Sequence, residues 1–420
     1  MCSEQISKIR RRDSQSTIRF LSSVELSALA LPLFAILLLT TAQRVHAQTE
    51  SILFNFTCRS GVCAPQSNLA IDGQGNLYGT TQGFYGAVYE LSSSGEFSTL
   101  HSFSCCGSDG SEPEAGVILD SQGNLYGTTV EGGAYGEGTV FEVSPTGTET
   151  ILYNFTCGSD GCFPEGQLVI DSDGNLYGTA SAAGLGAGTV FKLVPSTGVL
   201  TTLYSFAGGA DGGLPFSGLV FDVEGNLYGT TAYGGAYSRG VVYKLTPSGT
   251  ETVLHSFDPN GKDGLSPQAG VVLDSKGDLY GTTLLGGKSG VGTVYKVTPS
   301  GKETILHSFK GGADGIFPES TLTFDKNGNL YGTTFYGGTF DSGTVFELSK
   351  THETVLHSFA PNGIDGQFPE GGVLVDANGD IYGTTSAGGE GGVGCSLGCG
   401  TIFKIVPQSL GRTSDFKESD

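Results

Sequence analysis

One short motif recurs seven times along this chain and restricts its fold more than any other feature. Gly-Asn-Leu-Tyr-Gly-Thr-Thr begins at Gly75 and returns with small changes. Its tyrosine recurs about every 51 residues, at Tyr78, Tyr126, Tyr177, Tyr228, Tyr280, Tyr331 and Tyr382. Self-similarity at a fixed period is the signature of a repeat architecture. The chain is therefore a tandem array of one structural unit.

Each repeat contains four short segments with strand character. Besides the tyrosine segment they are typified by Val271–Asp274, Gly343–Leu348 and Glu251–Phe257. These segments are rich in β-branched and aromatic residues and are bounded by Gly, Pro, Asn or Asp. With 69 glycines and 15 prolines in 420 residues, long helices are disfavoured. Four strands in 40 to 50 residues are typical of a propeller blade.

The phase of the repeat predicts a closed ring. After the leader, the chain opens with a fourth-strand segment, Ser51–Phe56, and its last repeat ends with a third-strand segment, Gly400–Ile405. An open solenoid needs capping repeats at both ends, whereas a ring lets the first segment pair beside the last and removes the open edge. We predict an all-β, seven-bladed β-propeller of four-stranded antiparallel blades over residues 48–407, closed by its N-terminal strand.

The first 47 residues have the pattern of a signal peptide. Basic residues precede a twelve-residue apolar stretch, Ala28–Leu39, and Val45–Ala47 offers a small-residue cleavage site. That stretch is shorter than the roughly 20 residues of a membrane helix. Residues 408–420 form a polar C-terminal tail. We expect a secreted or periplasmic protein without a membrane span after cleavage.

Charge and cysteine usage fit this location. Without the leader the chain carries 15 basic and 39 acidic residues, a net charge of −24, which would repel nucleic acid and attract cations. Eight cysteines remain, and an even number in an exported chain usually indicates disulfides. We predict three short-loop bonds: Cys58–Cys63, Cys157–Cys162 and Cys395–Cys399. For Cys105 and Cys106, free thiols, a strained mutual bond and a bond to a neighbouring loop all stay open.

The repeated strings resemble a known family. G-N-L-Y-G-T-T, then G-G-x-x-G-x-G-T-V-F-K-L, then E-T-V-L-H-S-F are similar to the GloVer-type tandem repeat of choice-of-anchor exported bacterial proteins. That resemblance implies export and a repeat fold but no established activity. D-x-x-G-N-L-Y more distantly resembles the blade signature of NHL-type and virginiamycin-lyase-like propellers, some of which are enzymes.

A candidate site follows from strand order. If the N-terminal strand is outermost, the loops joining second to third strands and fourth to next first strands share one face. The first loops carry aromatic residues: Tyr85, Tyr135, Tyr233, Tyr237, Tyr336 and Phe340. The second carry Asp-Gly turns with Asp109, Asp160, Asp211, Asp263, Asp314 and Asp365, followed in four blades by Pro-Glu with Glu114, Glu165, Glu319 and Glu370.

Aromatic rings beside carboxylates suit sugar recognition, since rings stack on apolar sugar faces and carboxylates accept hydroxyl hydrogen bonds. We expect a binding or scaffold module without a cofactor, whose partner is a polysaccharide or another exported protein. Asp258–Asp263 has the oxygen donors of a calcium site, which is the alternative for a cofactor. Asp-Gly is also, simply, a turn sequence.

The competing class is a propeller enzyme, a lyase, lactonase or glycosidase, with two of the glutamates as acid and base at the channel mouth. Histidine gives this class no support, because four histidines share one repeat position on the expected outermost strand: His101, His255, His307 and His357. The repeats also contain no unique catalytic cluster. We therefore expect binding rather than catalysis.

Overall fold

A computed structural model of the protein describes residues 49–58, 62–104, 108–182, 186–259, 263–350, 352–391, 395 and 397–407. The predicted signal peptide, the polar tail and the Cys105–Cys106 pair lie outside these residues.

Seven antiparallel sheets of four strands make up the described chain, and each sheet is one blade. The first strands of blades 1 to 7 are Ala70–Ile71, Ile118–Leu119, Val169–Ile170, Val220–Phe221, Val272–Leu273, Thr323–Phe324 and Leu374–Val375. The second strands are Leu77–Thr81, Leu125–Thr129, Leu176–Ala180, Leu227–Thr231, Leu279–Thr283, Leu330–Thr334 and Ile381–Thr385. The third strands are Ala87–Leu91, Thr139–Val143, Thr189–Val194, Val241–Leu245, Thr293–Val297, Thr344–Ser349 and Thr401–Val406. The fourth strands are Phe97–Ser102, Glu149–Asn154, Val199–Ser205, Glu251–Ser256, Glu303–Ser308, His352–Ser358 and, for blade 7, Thr49–Asn55.

Short elements decorate the loops of this scaffold. Three two-stranded ladders join Gly110–Ser111 to Glu131–Gly132, Gly264–Leu265 to Leu285–Gly286, and Gly366–Gln367 to Ala387–Gly388. A 3-10 turn covers Gly312–Asp314. The predicted all-β, seven-bladed fold is confirmed.

The ring closes as the phase of the repeat predicted. Thr49–Asn55 pairs antiparallel with Thr401–Val406, the third strand of blade 7. Near the axis, Thr384 Oγ1 of blade 7 donates to the Ser67 carbonyl at 3.0 Å. Blades 7 and 1 are thus joined by hydrogen bonds between residues more than 300 positions apart in the sequence.

The first half of the motif builds the turn between the first and second strands. In blade 4, Asp222 Oδ1 accepts the backbone N–H of Glu224 and of Asn226, both at 2.9 Å. The hydroxyl of Tyr228 donates to Asp222 Oδ2 at 2.9 Å. The same tyrosine–aspartate bond is present in all seven blades. The repeated tyrosine is therefore structural, since it fixes the turn that starts its own strand.

The second half of the motif joins strands and blades. A Cβ on Gly229 would lie 2.6 Å from the hydroxyl of Tyr243 on the third strand, so only glycine leaves room for that ring. Thr230 Oγ1 donates across the blade boundary to the Ala269 carbonyl at 2.8 Å. Six of the seven boundaries have this threonine bond.

The hydrophobic core is divided among the blade boundaries. Between blades 5 and 6, Val294 and Phe309 pack with Leu322, Leu330 and Phe346, and all five are buried. Equivalent clusters fill the other boundaries. Each fully buried side chain of this size contributes roughly 1.5–3 kcal/mol. Since every blade buries its faces against its neighbours, closing the ring supplies the last cluster.

The three predicted disulfides, Cys58–Cys63, Cys157–Cys162 and Cys395–Cys399, are formed. The first and third adjoin at the closing boundary, where Cys58 Sγ and Cys395 Sγ lie 2.9 Å apart. Such bonds persist in oxidising compartments and favour an exported protein. Among the described residues, no helix has the length and apolarity to cross a membrane.

Candidate functional site

The two sets of loops predicted to share a face do so. In blade 2, the fourth-to-first loop pairs with the second-to-third loop through Gly110–Ser111 and Glu131–Gly132. Isolated bridges from Gly213 to Tyr233 and from Ile316 to Tyr336 join the same loops in blades 4 and 6. The aromatic and acidic loops are thus neighbours within each blade.

A repeated backbone feature turns the fourth-to-first loop towards the axis of the propeller. In every repeat a non-glycine residue has a φ of 54° to 59°: Ala64, Glu112, Phe163, Leu214, Ser266, Phe317 and Phe368. A proline follows each of them. The left-handed conformation is unfavourable for residues with a Cβ, so the surrounding structure imposes it seven times. The residue after the proline then reaches the central channel.

Those residues form what we call the inner ring: Gln66, Glu114, Glu165, Phe216, Gln268, Glu319 and Glu370. Together they line a cavity of about 190 Å³ on the axis, to which all seven blades contribute. Four glutamates, two glutamines and one phenylalanine therefore surround the same space. Apart from the ring itself, the cavity is lined mainly by the small residues that follow each member.

Polar side chains two residues after the inner-ring positions reach across the channel. Asn68 Nδ2 donates to Gln167 Oε1 at 3.2 Å, linking blade 1 to blade 3. The intervening blade contributes Gly116, where a Cβ would lie 2.3 Å from the Asn68 carbonyl oxygen. Asn68 Oδ1 also accepts the Gly372 N–H at 2.6 Å. Asn68 and Gln167 also line the cavity, so its base is lined by amide groups. We call this cavity the vestibule.

The acidic members of the inner ring occur in neighbouring blades. Glu114 and Glu165 belong to blades 2 and 3, and Glu319 and Glu370 to blades 6 and 7. Glu165 Oε1 accepts the Ser181 hydroxyl at 2.8 Å. Burial, and then the charges of Glu319, Asp341 and Glu370, raise the pKa of Tyr336. A tyrosine hydroxyl therefore lies within the field of the second glutamate pair.

The six predicted aspartates do not join the glutamates at the channel. Asp263 Oδ2 lies 3.0 Å from His255 Nε2 on the fourth, outermost strand and accepts the Asp258 N–H at 2.9 Å. Asp160 makes equivalent bonds with Tyr153 and Thr156, and the other four repeat the arrangement. These carboxylates organise the loop, as the structural interpretation of Asp-Gly expected. Of the calcium alternative, residues 260–262 lie outside the described chain.

The predicted tyrosines fall into two groups. Tyr135, Tyr233 and Tyr237 are exposed, at 64%, 50% and 47%. Tyr336 is half-buried and packs edge-on against Phe335 and Phe368. Burial and Asp160 raise the pKa of the Tyr153 hydroxyl on the outer strand, and Tyr135 is close enough to add a smaller contribution. The exposed tyrosines therefore offer a loop surface separate from the inner ring.

Sequence reasoning missed three members of the inner ring, Gln66, Phe216 and Gln268. The signal was available, because a proline precedes the ring position in all seven repeats and not only in the four that read Pro-Glu. Aligning the repeats on that proline would have placed the seven residues on one ring.

Comparison with solved structures supports the fold alone. The extracellular domain of a putative hybrid two component system from B. thetaiotaomicron matches with a TM-score of 0.54 at 13% identity, covering 83% of this chain and 39% of that one. An oligogalacturonate lyase from Vibrio parahaemolyticus matches with a TM-score of 0.50 at 11% identity, covering 85% of this chain and 93% of that one. No curated protein matches the sequence.

The family model of the Gloeobacter/Verrucomicrobia repeat matches residues 40–223 and 218–420. These two matches together contain all seven blades. The chain belongs to the Gloeobacter/Verrucomicrobia repeat family.

Proposed function

We propose that this protein is an exported binding module whose inner ring holds one sugar unit of an extracellular glycan without turning it over. Four glutamates, two glutamines and Phe216 line one cavity, and this arrangement supports the proposal. Carboxylate and amide oxygens accept hydrogen bonds from sugar hydroxyls, and an aromatic face stacks on the apolar face of a sugar ring.

The size and charge of the cavity define the ligand class. A volume of about 190 Å³ is below the roughly 300–1,000 Å³ of sites for drug-sized ligands, so the proposed occupant is one residue at a chain end or branch. Four glutamates would repel a uronate. The ligand is accordingly a neutral or amino sugar, and the exposed Tyr233 and Tyr237 supply weaker contacts to the rest of the glycan.

A glycan array followed by calorimetry, with and without calcium, tests this proposal. Phe216→Ala should abolish retention of a glycan that the unmutated protein binds, because the stacking surface in the vestibule is lost. Tyr233→Ala with Tyr237→Ala should weaken retention several-fold through lost avidity and leave stability nearly intact. Val223→Ala is the control, since Val223 is fully exposed, and it should change neither property.

Two results would contradict the proposal. If the unmutated protein retains no glycan with or without calcium, the inner ring is not a sugar site. If it cleaves a polysaccharide or lactone and Glu114→Gln or Glu165→Gln removes that activity, the enzyme alternative replaces binding, with these two carboxylates as the acid and base.

A further inference from the structure

A second set of carboxylates lies far from the channel, where the outer edges of neighbouring blades meet. At five of the seven boundaries the loop aspartate lies between a His or Tyr of one fourth strand and a Glu near the start of the next fourth strand. Between blades 4 and 5, for example, ligand atoms of His255, Asp263 and Glu303 all lie within 4.8 Å of one another. We call these groups rim triads: His101–Asp109–Glu149, Tyr204–Asp211–Glu251, His255–Asp263–Glu303, His307–Asp314–Glu353 and His357–Asp365–Glu50.

Each rim triad contains a buried oxygen that no other group satisfies. Oε1 of all five glutamates is buried without a hydrogen-bond partner among the described residues: Glu50, Glu149, Glu251, Glu303 and Glu353. The neighbouring aspartate already accepts N–H groups of its own loop. Two ionised carboxylates side by side in a desolvated place repel each other, and an unsatisfied buried oxygen costs further free energy. A proton on the glutamate removes both costs, because the acid then donates to the aspartate.

The surrounding charges agree with this assignment. Burial, then the contact with Asp263, raises the pKa of Glu303 to about 8. In the next triad burial and Asp314 raise the pKa of Glu353 to about 8, although Lys310 lowers it in part. Burial and the nearby aspartate raise the pKa to about 7 in Glu149 and Glu251 and raise it also in Glu50, where His357 opposes.

The remaining titratable neighbours of the triads are tyrosines on the third strands. Tyr295 faces Glu303 and Asp263, and Tyr243 faces Glu251; burial raises the pKa of both hydroxyls far above the neutral range. Neither therefore ionises between pH 4 and 9, whereas the raised pKa values of the rim glutamates lie within that range.

Two boundaries lack the glutamate and serve as natural controls. Between blades 2 and 3 the equivalent position is Leu200, beside Tyr153 and Asp160. Between blades 7 and 1 the position is Phe97, which stacks on Phe54 with ring centroids 4.1 Å apart. The same place in the fold can therefore be filled without any carboxylate, so the five glutamates are not a geometric necessity.

We propose that the rim triads are proton-binding clips that fasten neighbouring blades at mildly acidic pH and loosen them above neutral pH. The native state holds a proton on each glutamate that the unfolded chain releases above about pH 4.5. It therefore binds more protons than the unfolded chain between that pH and about 7 to 8. Stability falls as pH rises wherever the native state binds more protons, so this contribution is present below pH 4.5 and lost by about pH 8.

Thermal unfolding in chelator-containing buffer between pH 5.5 and 8.5 tests the clips. The Tm of the unmutated protein should fall by roughly 5 °C across this range. Changing all five rim glutamates to glutamine should flatten the profile, because an amide donates to the aspartate at every pH. Glu251→Gln alone should remove about a fifth of the slope, and it separates glutamate from imidazole titration because its triad contains Tyr204 in place of histidine.

Matched variants complete the experiment. Glu96→Gln, at an exposed position in the turn before a fourth strand, should leave the slope unchanged, whereas Leu200→Glu should steepen it. Should the fivefold variant fail to fold, the single Glu251→Gln and Leu200→Glu variants decide the matter. Equal slopes in the unmutated protein and Glu251→Gln, or a Tm that rises with pH, would overturn the proposal. A Tm raised by millimolar Ca²⁺ or Zn²⁺ at pH 8.5 only when the glutamates are present would overturn it in favour of a cation site.

Discussion

The inner ring and the rim triads belong to the same blades and are both rich in glutamate, but the repeats treat them differently. At the inner ring the residue changes from blade to blade among Glu, Gln and Phe, while the flanking proline does not change. At the rim the His or Tyr, the Asp and the Glu return together at five boundaries. The repeat thus preserves the rim residues and varies the inner-ring residues, which is the pattern expected if the rim serves the fold and the inner ring serves the proposed ligand.

The surroundings of the two sets support this difference. The inner glutamates line a cavity on the axis; Glu114, Glu319 and Glu370 are partly exposed, and the buried Glu165 accepts the Ser181 hydroxyl. The rim glutamates have buried oxygens that face an aspartate. Neutralising the first set should therefore alter binding, and neutralising the second should alter stability and its pH dependence.

Deleting the outermost strand of blade 7 should have the largest effect. Deleting residues 48–57 takes away the fourth strand of blade 7, with Glu50 and the buried Phe56, and exposes the edge of Thr401–Val406. The Tm should fall by roughly 10 °C or more, because an edge and a hydrophobic cluster are opened together. Ser51→Ala, at an exposed position of the same strand, should leave the Tm unchanged. An unaltered melting curve for the deletion would mean that the strand does not close the ring.

Breaking one of the threonine hydrogen bonds between neighbouring blades should have a smaller effect. Thr230→Val removes the bond to the Ala269 carbonyl and should lower the free energy of unfolding by about 1 kcal/mol, since a buried acceptor loses its donor. The chain contains its own control, because buried Thr128 Oγ1 has no partner in the described structure. Thr128→Val should be neutral or stabilising in denaturant titrations. Equal losses in both variants would show that the hydroxyls do not act through this bond.

The smallest change in stability is expected for a substitution on a third strand, which lies between the inner ring and the rim triads. The hydroxyl of Tyr243 is fully buried and without a partner among the described residues, while other blades carry Phe at this position. Tyr243→Phe should raise the free energy of unfolding by up to about 1 kcal/mol. Tyr228→Phe is the contrasting variant, since its hydroxyl donates to Asp222, and it should lower stability by about 1 kcal/mol. A loss in Tyr243→Phe would indicate that its hydroxyl is satisfied in solution.

The sequence alone predicted the parts of this protein that depend on local pattern. Blade number, ring closure and three disulfides follow from the period of Tyr78 and its equivalents, from the phase of Ser51–Phe56, and from paired cysteines. The radial position of each loop residue did not follow. Asp365 and Glu370 are five residues apart, but the left-handed Phe368 and the proline after it turn the chain, so one lies at the rim and the other at the channel. The rim glutamates were not predicted either. The sequence does contain a signal for them, because a glutamate recurs four residues before the His or Tyr of the same fourth strand, as Glu149 does before Tyr153.

Neutralising all four inner glutamates at once tests whether the inner ring serves a ligand while the rim serves the fold. The quadruple variant with glutamine at positions 114, 165, 319 and 370 should keep its Tm within about 2 °C and keep the predicted fall of Tm with pH, while glycan retention is lost. A large drop in Tm with retention intact would contradict the account, because the inner ring would then hold the propeller together and the ligand would bind elsewhere.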